Sequence, residues 1–293
     1  MTARVVKAQA AAAALVACAL ATACASSETR SSGTIYVDVG NRATGKQPDY
    51  LVVRNGAVVG HLAYWSMAVA RDQPSTLLFR KAVLMPSCCG QRDQSKRVFE
   101  GDSRVWLGIN GRQVLAPAGC FSNNSGMALS PTGRFGICET PHGLVVFAVS
   151  DPARSAKFVF SNMVVNTGRD AAFLSDYKVI VGVRDQSCPE YHGNLWVMAQ
   201  PTRFVIADLI GKVLSRGPCA YGAVSGIKRV AFMRYDTSGA ILYSFGGSDW
   251  FAGTPEAFDG SDRLIYLDRQ YRLRLEGDGQ VYQGVASEAS WSR

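Results

Sequence analysis

Cys138-Glu-Thr-Pro-His142-Gly143-Leu-Val-Val-Phe-Ala-Val149 and Cys188-Pro-Glu-Tyr-His192-Gly193-Asn-Leu-Trp-Val-Met-Ala199 share a cysteine, three spacers, His-Gly and an apolar run. From position 138 to 188 the offset is 50 residues. Just upstream, Met127-Ala128-Leu129-Ser130 matches Ala172-Phe173-Leu174-Ser175 at an offset of 45, a short insertion making up the difference. A fainter third copy lies at Val230-Ala231-Phe232, followed by Ser238-Gly239-Ala240-Ile241-Leu242-Tyr243. The unit is thus strand, turn, strand, His-Gly turn, strand. A period of about 40 to 50 residues with about four strands is that of propeller blades, each of which needs neighbours to bury its faces.

The rest of the chain agrees with an all-β body. Past Gly33, short runs of Val, Ile, Leu, Phe and Tyr are punctuated by Gly, Asn, Asp or Pro, and no long apolar stripe at helical spacing is found. Asn55-Gly56 lies between Leu51-Val52-Val53 and Val58-Val59, Asn110-Gly111 between Val105-Trp106-Leu107 and Val114-Leu115, and Asp278-Gly279 between Leu273–Leu275 and Val281-Tyr282. Each pair predicts a tight hairpin, because both central residues of such a turn favour positive φ. The expectation is a propeller-like domain over 34–293 with five or six blades, closed by pairing Thr34 to Val39 beside the last hairpin; a two-sheet sandwich is the competing fold. Leu129-Ser130-Pro131-Thr132-Gly133-Arg134-Phe135 resembles the Ser-Pro-Asp-Gly-Lys/Arg-aromatic turn of periplasmic and WD-like propellers, with Thr132 in place of the aspartate. The resemblance implies an architecture and no activity.

The N-terminus places the domain. Arg4 and Lys7 precede a charge-free, alanine-rich run from Ala8 to Ala23, which is the pattern of a secretory signal. The run is shorter than the roughly twenty apolar residues of a membrane-spanning helix. The small residues before Cys24 (Ala21-Thr22-Ala23) and before Cys18 (Leu15-Val16-Ala17) resemble the bacterial lipobox, in which a signal peptidase cuts before a lipidated cysteine. Cys24 is the preferred acceptor, since it opens directly into the polar tether Ala25-Ser26-Ser27-Glu28; Cys18 is the alternative, and ordinary secretory cleavage after Ala23 is the plain reading. The division expected is signal 1–23, tether 24–33 and repeat domain 34–293. Ala25 is not the aspartate that lipoprotein families associate with inner-membrane retention, so the resemblance implies the periplasmic side of the outer membrane.

The net charge of +8 is spread in singles and pairs, which with export argues against a nucleic-acid partner. Beyond Cys24 stand Cys88, Cys89, Cys120, Cys138, Cys188 and Cys219, an even set that reads as disulfides outside the cytoplasm, with connectivity open. A bridge from Cys138 to Cys188 would suit adjacent blades. The alternative, tetrahedral zinc held by Cys138, His142, Cys188 and His192, is disfavoured because repeat equivalence and oxidation already account for those residues. Asp170, Asp176, Asp185, Glu190, Asp249, Glu256, Asp259 and Asp262 fall mostly in expected loops, where solvated turn roles are the default. Gly-x-Ser-x-Gly, His-Glu-x-x-His, phosphate-loop and dinucleotide patterns are missing, and no cofactor is implied. Trp250, Phe251, Tyr191 and Tyr221 are candidate aromatic binding residues. The function expected is a lipid-anchored, non-enzymatic protein-binding module, similar in kind to envelope-assembly propeller lipoproteins or toxin-immunity lipoproteins. A channel hydrolase and a carbohydrate-binding module are the alternatives. Carboxylates and histidines converging on the channel axis would favour the enzyme; a flat top without converging polar groups would favour the adaptor.

Overall fold

Asn55 and Gly56 both take positive φ (51° and 78°), as do Asn110 and Gly111 (49° and 80°). These left-handed values match the turn to the twist of its strands, and Asn and Gly reach them at little cost. The structure is a computed structural model describing residues 33–40, 49–86, 97–118, 120, 126–140, 142–161, 169–189, 191–192, 198–199, 201–277 and 279–293. The third expected hairpin forms with a longer turn: positive φ falls on Gly277 (76°), Leu275 N–H donates to the Gly279 carbonyl, and Asp278 lies outside the described residues.

The hairpins assemble into six four-stranded antiparallel sheets. Blade I joins β26 (Glu288–Ser292) to β1 (Thr34–Asp38), β2 (Tyr50–Arg54) and β3 (Ala57–Leu62). Blade II is β4 (Tyr64–Ala70), β5 (Gln73–Pro86), β6 (Arg97–Ile109) and β7 (Arg112–Leu115). Blade III is β8 (Met127–Leu129), β9 (Phe135–Thr140), β10 (Gly143–Ala148) and β11 (Lys157–Val159), with the one-turn helix α1 (Pro152–Ser155) before its last strand. Blade IV is β12 (Ala171–Ser175), β13 (Lys178–Arg184), β16 (Thr202–Asp208) and β17 (Val213–Cys219), interrupted by the small hairpin β14 (Tyr191–His192) and β15 (Met198–Ala199). Blade V is β18 (Gly222–Ser225), β19 (Val230–Tyr235), β20 (Ile241–Ser244) and β21 (Phe251–Ala252); blade VI is β22 (Thr254–Phe258), β23 (Leu264–Leu267), β24 (Arg272–Leu275) and β25 (Gln280–Val285).

The strands β26, β4, β8, β12, β18 and β22 neighbour one another in that cyclic order, so the protein is a six-bladed β-propeller rather than a sandwich. Closure is by Thr34 pairing with Ser292 and Asp38 with Glu288. The Thr34 segment therefore closes the ring as expected, with β26, the strand after the last hairpin, as its partner. Each blade interface holds its own apolar cluster. Along β9 and β10, Ile137, Leu144 and Val146 pack toward blade IV, while Cys138, Val145 and Phe147 pack toward blade II. Successive residues point to opposite faces of a strand, and here both faces are covered, so the strand reads as an unbroken apolar run.

The repeat needs correcting in part. Strands β8 and β12 are both first strands of blades, so the offset of 45 pairs true equivalents. Cys138 sits in the second strand β9, whereas Cys188 lies in the insertion between β13 and β16 and His192 in β14, so the offset of 50 pairs unrelated positions. Val230–Phe232 likewise belong to a second strand, β19.

Each blade is a meander starting at the axis, which sorts its connections onto two faces. The turn face carries short links such as Arg71-Asp72, Asp176-Tyr177 and Gly226–Arg229, none longer than the Val149–Ala156 segment that holds α1. The connections between second and third strands and between blades leave and re-enter the blades at the opposite, loop face, at 39–40 and 49, 86 and 97, 116–118 and 126, 160–161 and 169–170, and 185–189 and 201, the stretches between lying mostly outside the described residues. Strands β5 and β6, 14 and 13 residues long, outrun their neighbours toward this face.

Candidate site at the loop end of the channel

The axial channel is a cavity of about 200 Å³ walled by all six first strands. Its middle is apolar, with Met67, Val69, Met127, Leu129, Phe173 and Val224 among the lining residues. Its loop end is ionic, because Arg169 precedes β12, Glu256 sits within β22 and Glu288 opens β26. Arg169 Nη2 donates to Glu256 Oε2 at 2.7 Å and Nη1 to the Pro255 carbonyl at 2.5 Å. Glu256 Oε2 also accepts from the Ala289 N–H at 3.1 Å, which ties blade VI to blade I. The Glu256 side chain is fully buried, and its Oε1 has no hydrogen-bond partner among the described residues. Burial and the neighbouring Glu288 push the Glu256 carboxyl up to about 7, against the opposing pull of Arg169 and the Ala289 N–H. Burial opposes the charge on Arg169, but Glu256 and Glu288 prevail and hold its guanidinium above its usual range. Tyr50, fully buried, donates its hydroxyl to Glu288 Oε2 at 3.4 Å.

A second buried acid lies one shell outward. Glu139 accepts from the N–H groups of Ala171 (2.8 Å), Asp170 (3.1 Å) and Gly126 (3.3 Å), holding the starts of β8 and β12 together. Burial and the adjacent Asp170 raise it well above the usual carboxylate range, outweighing those three donors.

Two disulfides staple the loop face. Cys120, between β7 and β8, bonds Cys138, and Cys188, in the blade IV insertion, bonds Cys219 at the end of β17. The Cys138 to Cys188 bridge, one of the pairings the sequence left open, does not form, since the two cysteines are not blade equivalents and each has another partner. Both cysteines being oxidised, they are not available as thiolates for the alternative zinc set with His142 and His192. Cys88 and Cys89 lie outside the described residues. In the chain-entropy picture, closing the loop of 18 residues stabilises by about 3 kcal/mol and closing that of 31 by about 4 kcal/mol. The Cys188→Ser/Cys219→Ser double variant is expected to lose that amount in denaturant unfolding, and an unchanged midpoint would contradict it.

The other sequence candidates disperse. Trp250 is half-buried on the turn-face side under Arg234, whose guanidinium lies 4.1 Å from its ring, while Phe251 is exposed in β21. Tyr221 is buried against Tyr235 at 4.5 Å, and the side chain of Tyr191 lies outside the described residues, as does Glu190. Asp176 receives the Thr132 N–H (3.1 Å) and hydroxyl (2.5 Å), Asp185 binds Ser187 and Arg203, Asp259 pairs with Arg263, and Asp262 accepts from Ile227 and Lys228 N–H. These are turn and inter-blade ties, and Asp259 makes its own fully buried. His61 is exposed and pairs with Asp49 on blade I, away from the channel. The channel thus gathers Arg169, Glu256 and Glu288 without His61, and Tyr50 and Glu139 lie outward of its lining. The only sequence hint was an acid inside a strand-like run, as in Phe135-Gly-Ile-Cys-Glu139 and Thr254-Pro-Glu256-Ala-Phe.

No family model and no curated protein matches the chain. Among solved structures it is similar in fold to a chain of the nidogen/laminin complex, with a TM-score of 0.51 and 9% identity, over 89% of this chain and 98% of that one. Weaker likeness extends to the β-propeller domain of the trilobed protease from Pyrococcus furiosus (TM-score 0.45, 9% identity, 86% and 80% covered) and to apo AztD from Citrobacter koseri (0.38, 9%, 85% and 69%).

Proposed function

We propose that this propeller is an exported, lipid-anchored, non-enzymatic binding module of the bacterial envelope that presents its loop face to a protein partner. The observation that carries the reading is the asymmetry of the ring: the strand ends that bound the long connections lie on one face, and both disulfides hold residues of that face. Binding loops on a rigid scaffold are the usual way such folds make contacts, and disulfides suit an oxidising compartment. Cys24 is the lipid acceptor, and the residues between it and Thr34 are the tether, placing the ring at the periplasmic side of the outer membrane. A channel hydrolase is the second reading, favoured by Glu256 and Glu288 on the axis; against it, Glu256 is engaged by Arg169 and the Ala289 N–H.

Labelling with a palmitate analogue is expected to persist in Cys18→Ala and vanish in Cys24→Ala; the reverse pattern would assign the anchor to Cys18. A pull-down from the native membrane fraction is expected to recover a stoichiometric protein partner. Recovery of none, together with a bound metal by elemental analysis, would overturn the adaptor reading.

A further inference from the structure

We infer that the cleft on the outer wall of the ring between blades III and IV is a binding site for a small oxyanion carrying an apolar, planar body, the chemical class of an aryl phosphate. The cleft shares no lining residue with the channel, and the inference is independent of the lipid tether and of any protein partner.

The register of blade IV builds the basic wall. Val205 of β16 belongs to the apolar cluster that blade IV shares with blade III. Arg203 precedes it by two residues and so lies on the same side of the strand, while Arg216 of β17 is paired directly opposite Val205. Both side chains line the cleft, as does Arg184 at the end of β13. Arg203 is fixed in place: its Nε donates to Asp185 Oδ2 at 2.5 Å, Nη1 to the Gly217 carbonyl at 3.1 Å and Nη2 to Ser187 Oγ at 3.1 Å. Two of the five N–H donors of its guanidinium remain for a ligand. Ser187 and Arg203 hold Asp185 below the usual carboxylate range, so its charge balances that of Arg203. Arg216 is exposed and has no partner among the described residues. Like charges on neighbouring positions of one sheet face repel, and an oxyanion relieves that repulsion while accepting the forked hydrogen bonds a guanidinium offers.

Blade III and the β16–β17 turn supply the apolar wall. Phe158, Val159 and Phe160 run along it, and the Phe160 ring lies against Gly211. Phe160 takes a φ of 56°, a left-handed conformation that aromatic residues rarely adopt, as the chain turns out of β11. Phe158, Ile210 and Val213 stay about half exposed or more beside the cleft, and an aryl body laid on them removes that apolar surface from water. The cleft measures about 680 Å³, inside the roughly 300 to 1,000 Å³ of small-molecule sites. Its lining holds three guanidiniums and a single carboxylate, which disfavours a metal ion or an ammonium ligand.

The test titrates phenyl phosphate into the detergent-solubilised full chain, with inorganic phosphate and phenol as parallel arms, read by ligand-observed NMR and by thermal unfolding. Phenyl phosphate is expected to bind saturably with a Kd of about 1 mM, consistent with its few heavy atoms, and about fivefold tighter than inorganic phosphate, while phenol gives no saturable signal. Arg216→Gln is expected to weaken binding about tenfold through loss of a charge-assisted hydrogen bond, and because Arg216 is exposed the unliganded unfolding midpoint should stay where it is. Ile210→Ser is expected to bring phenyl phosphate down toward inorganic phosphate. Arg112→Gln removes an equally exposed cation from blade II and should leave binding unchanged. No saturable binding of phenyl phosphate to the wild type, equal binding of inorganic phosphate or of phenol, or full binding by Arg216→Gln would overturn the inference. So would equal weakening by Arg112→Gln and Arg216→Gln, since that would show only attraction to a basic chain.

Discussion

Glu139→Ala is expected to destabilise the propeller by about 4 kcal/mol, although residue 139 does not line the channel cavity and is only a spacer in the Cys138–His142 stretch. Alanine would remove the acceptor of the Gly126, Asp170 and Ala171 N–H groups at once, and an unsatisfied buried donor costs about 1 to 3 kcal/mol. Relief of the unfavourable proximity to Asp170 offsets part of the loss. The cost falls on the junction of blades III and IV, because the three donors belong to the starts of β8 and β12. Urea unfolding would measure it. A loss below about 1 kcal/mol would mean that water reaches those donors. Glu139→Gln should cost far less, since one amide oxygen can still serve Asp170 and Ala171, which lie on the same carboxylate oxygen in the native protein.

Arg169→Leu is expected to cost about 3 to 5 kcal/mol above neutral pH, the penalty for breaking one side of a buried ion pair. The sign of its pH dependence follows from Glu256. That carboxyl is raised in the folded protein from an ordinary 4.5 to about 7, so its contribution to stability is fully present below about 4.5 and is lost as pH rises through 7. Arg169 lowers the Glu256 value, and without it the folded carboxyl titrates higher still. The difference between wild type and variant should therefore be small at pH 5 and widen toward pH 8 in parallel unfolding curves. A gap independent of pH would show that Arg169 acts by packing alone. Arg169→Leu combined with Glu256→Leu should recover part of the loss, since no buried charge is left unpaired although the Ala289 N–H and the Pro255 carbonyl lose these partners.

Together these predictions place stability in buried carboxylates that join neighbouring blades. Glu139 and Glu256 are both carboxylates inside strands, and each links its own blade to the next through backbone N–H groups. The ring brings them within one layer of the loop face although they lie far apart in the chain. Asp176, Asp185, Asp259 and Asp262, which share their residue types and look like equal candidates in the sequence, serve turns instead.

The amino-acid sequence by itself determined the all-β class, the two Asn-Gly hairpins and the propeller, because turn chemistry and strand alternation act over a few neighbouring residues. Even so, one of the two repeat offsets was coincidence: Cys138 and Cys188 match in letters but occupy a core strand and an inserted loop. Only the tertiary structure decided the blade count, the choice of β26 as the partner of β1, the pairing of Cys120 with Cys138 and of Cys188 with Cys219, and the meeting of Arg169, Glu256 and Glu288. The physical reason is distance along the chain. A disulfide partner or an ion pair across the channel is chosen by how six sheets pack around an axis, and no local pattern of residues records that geometry.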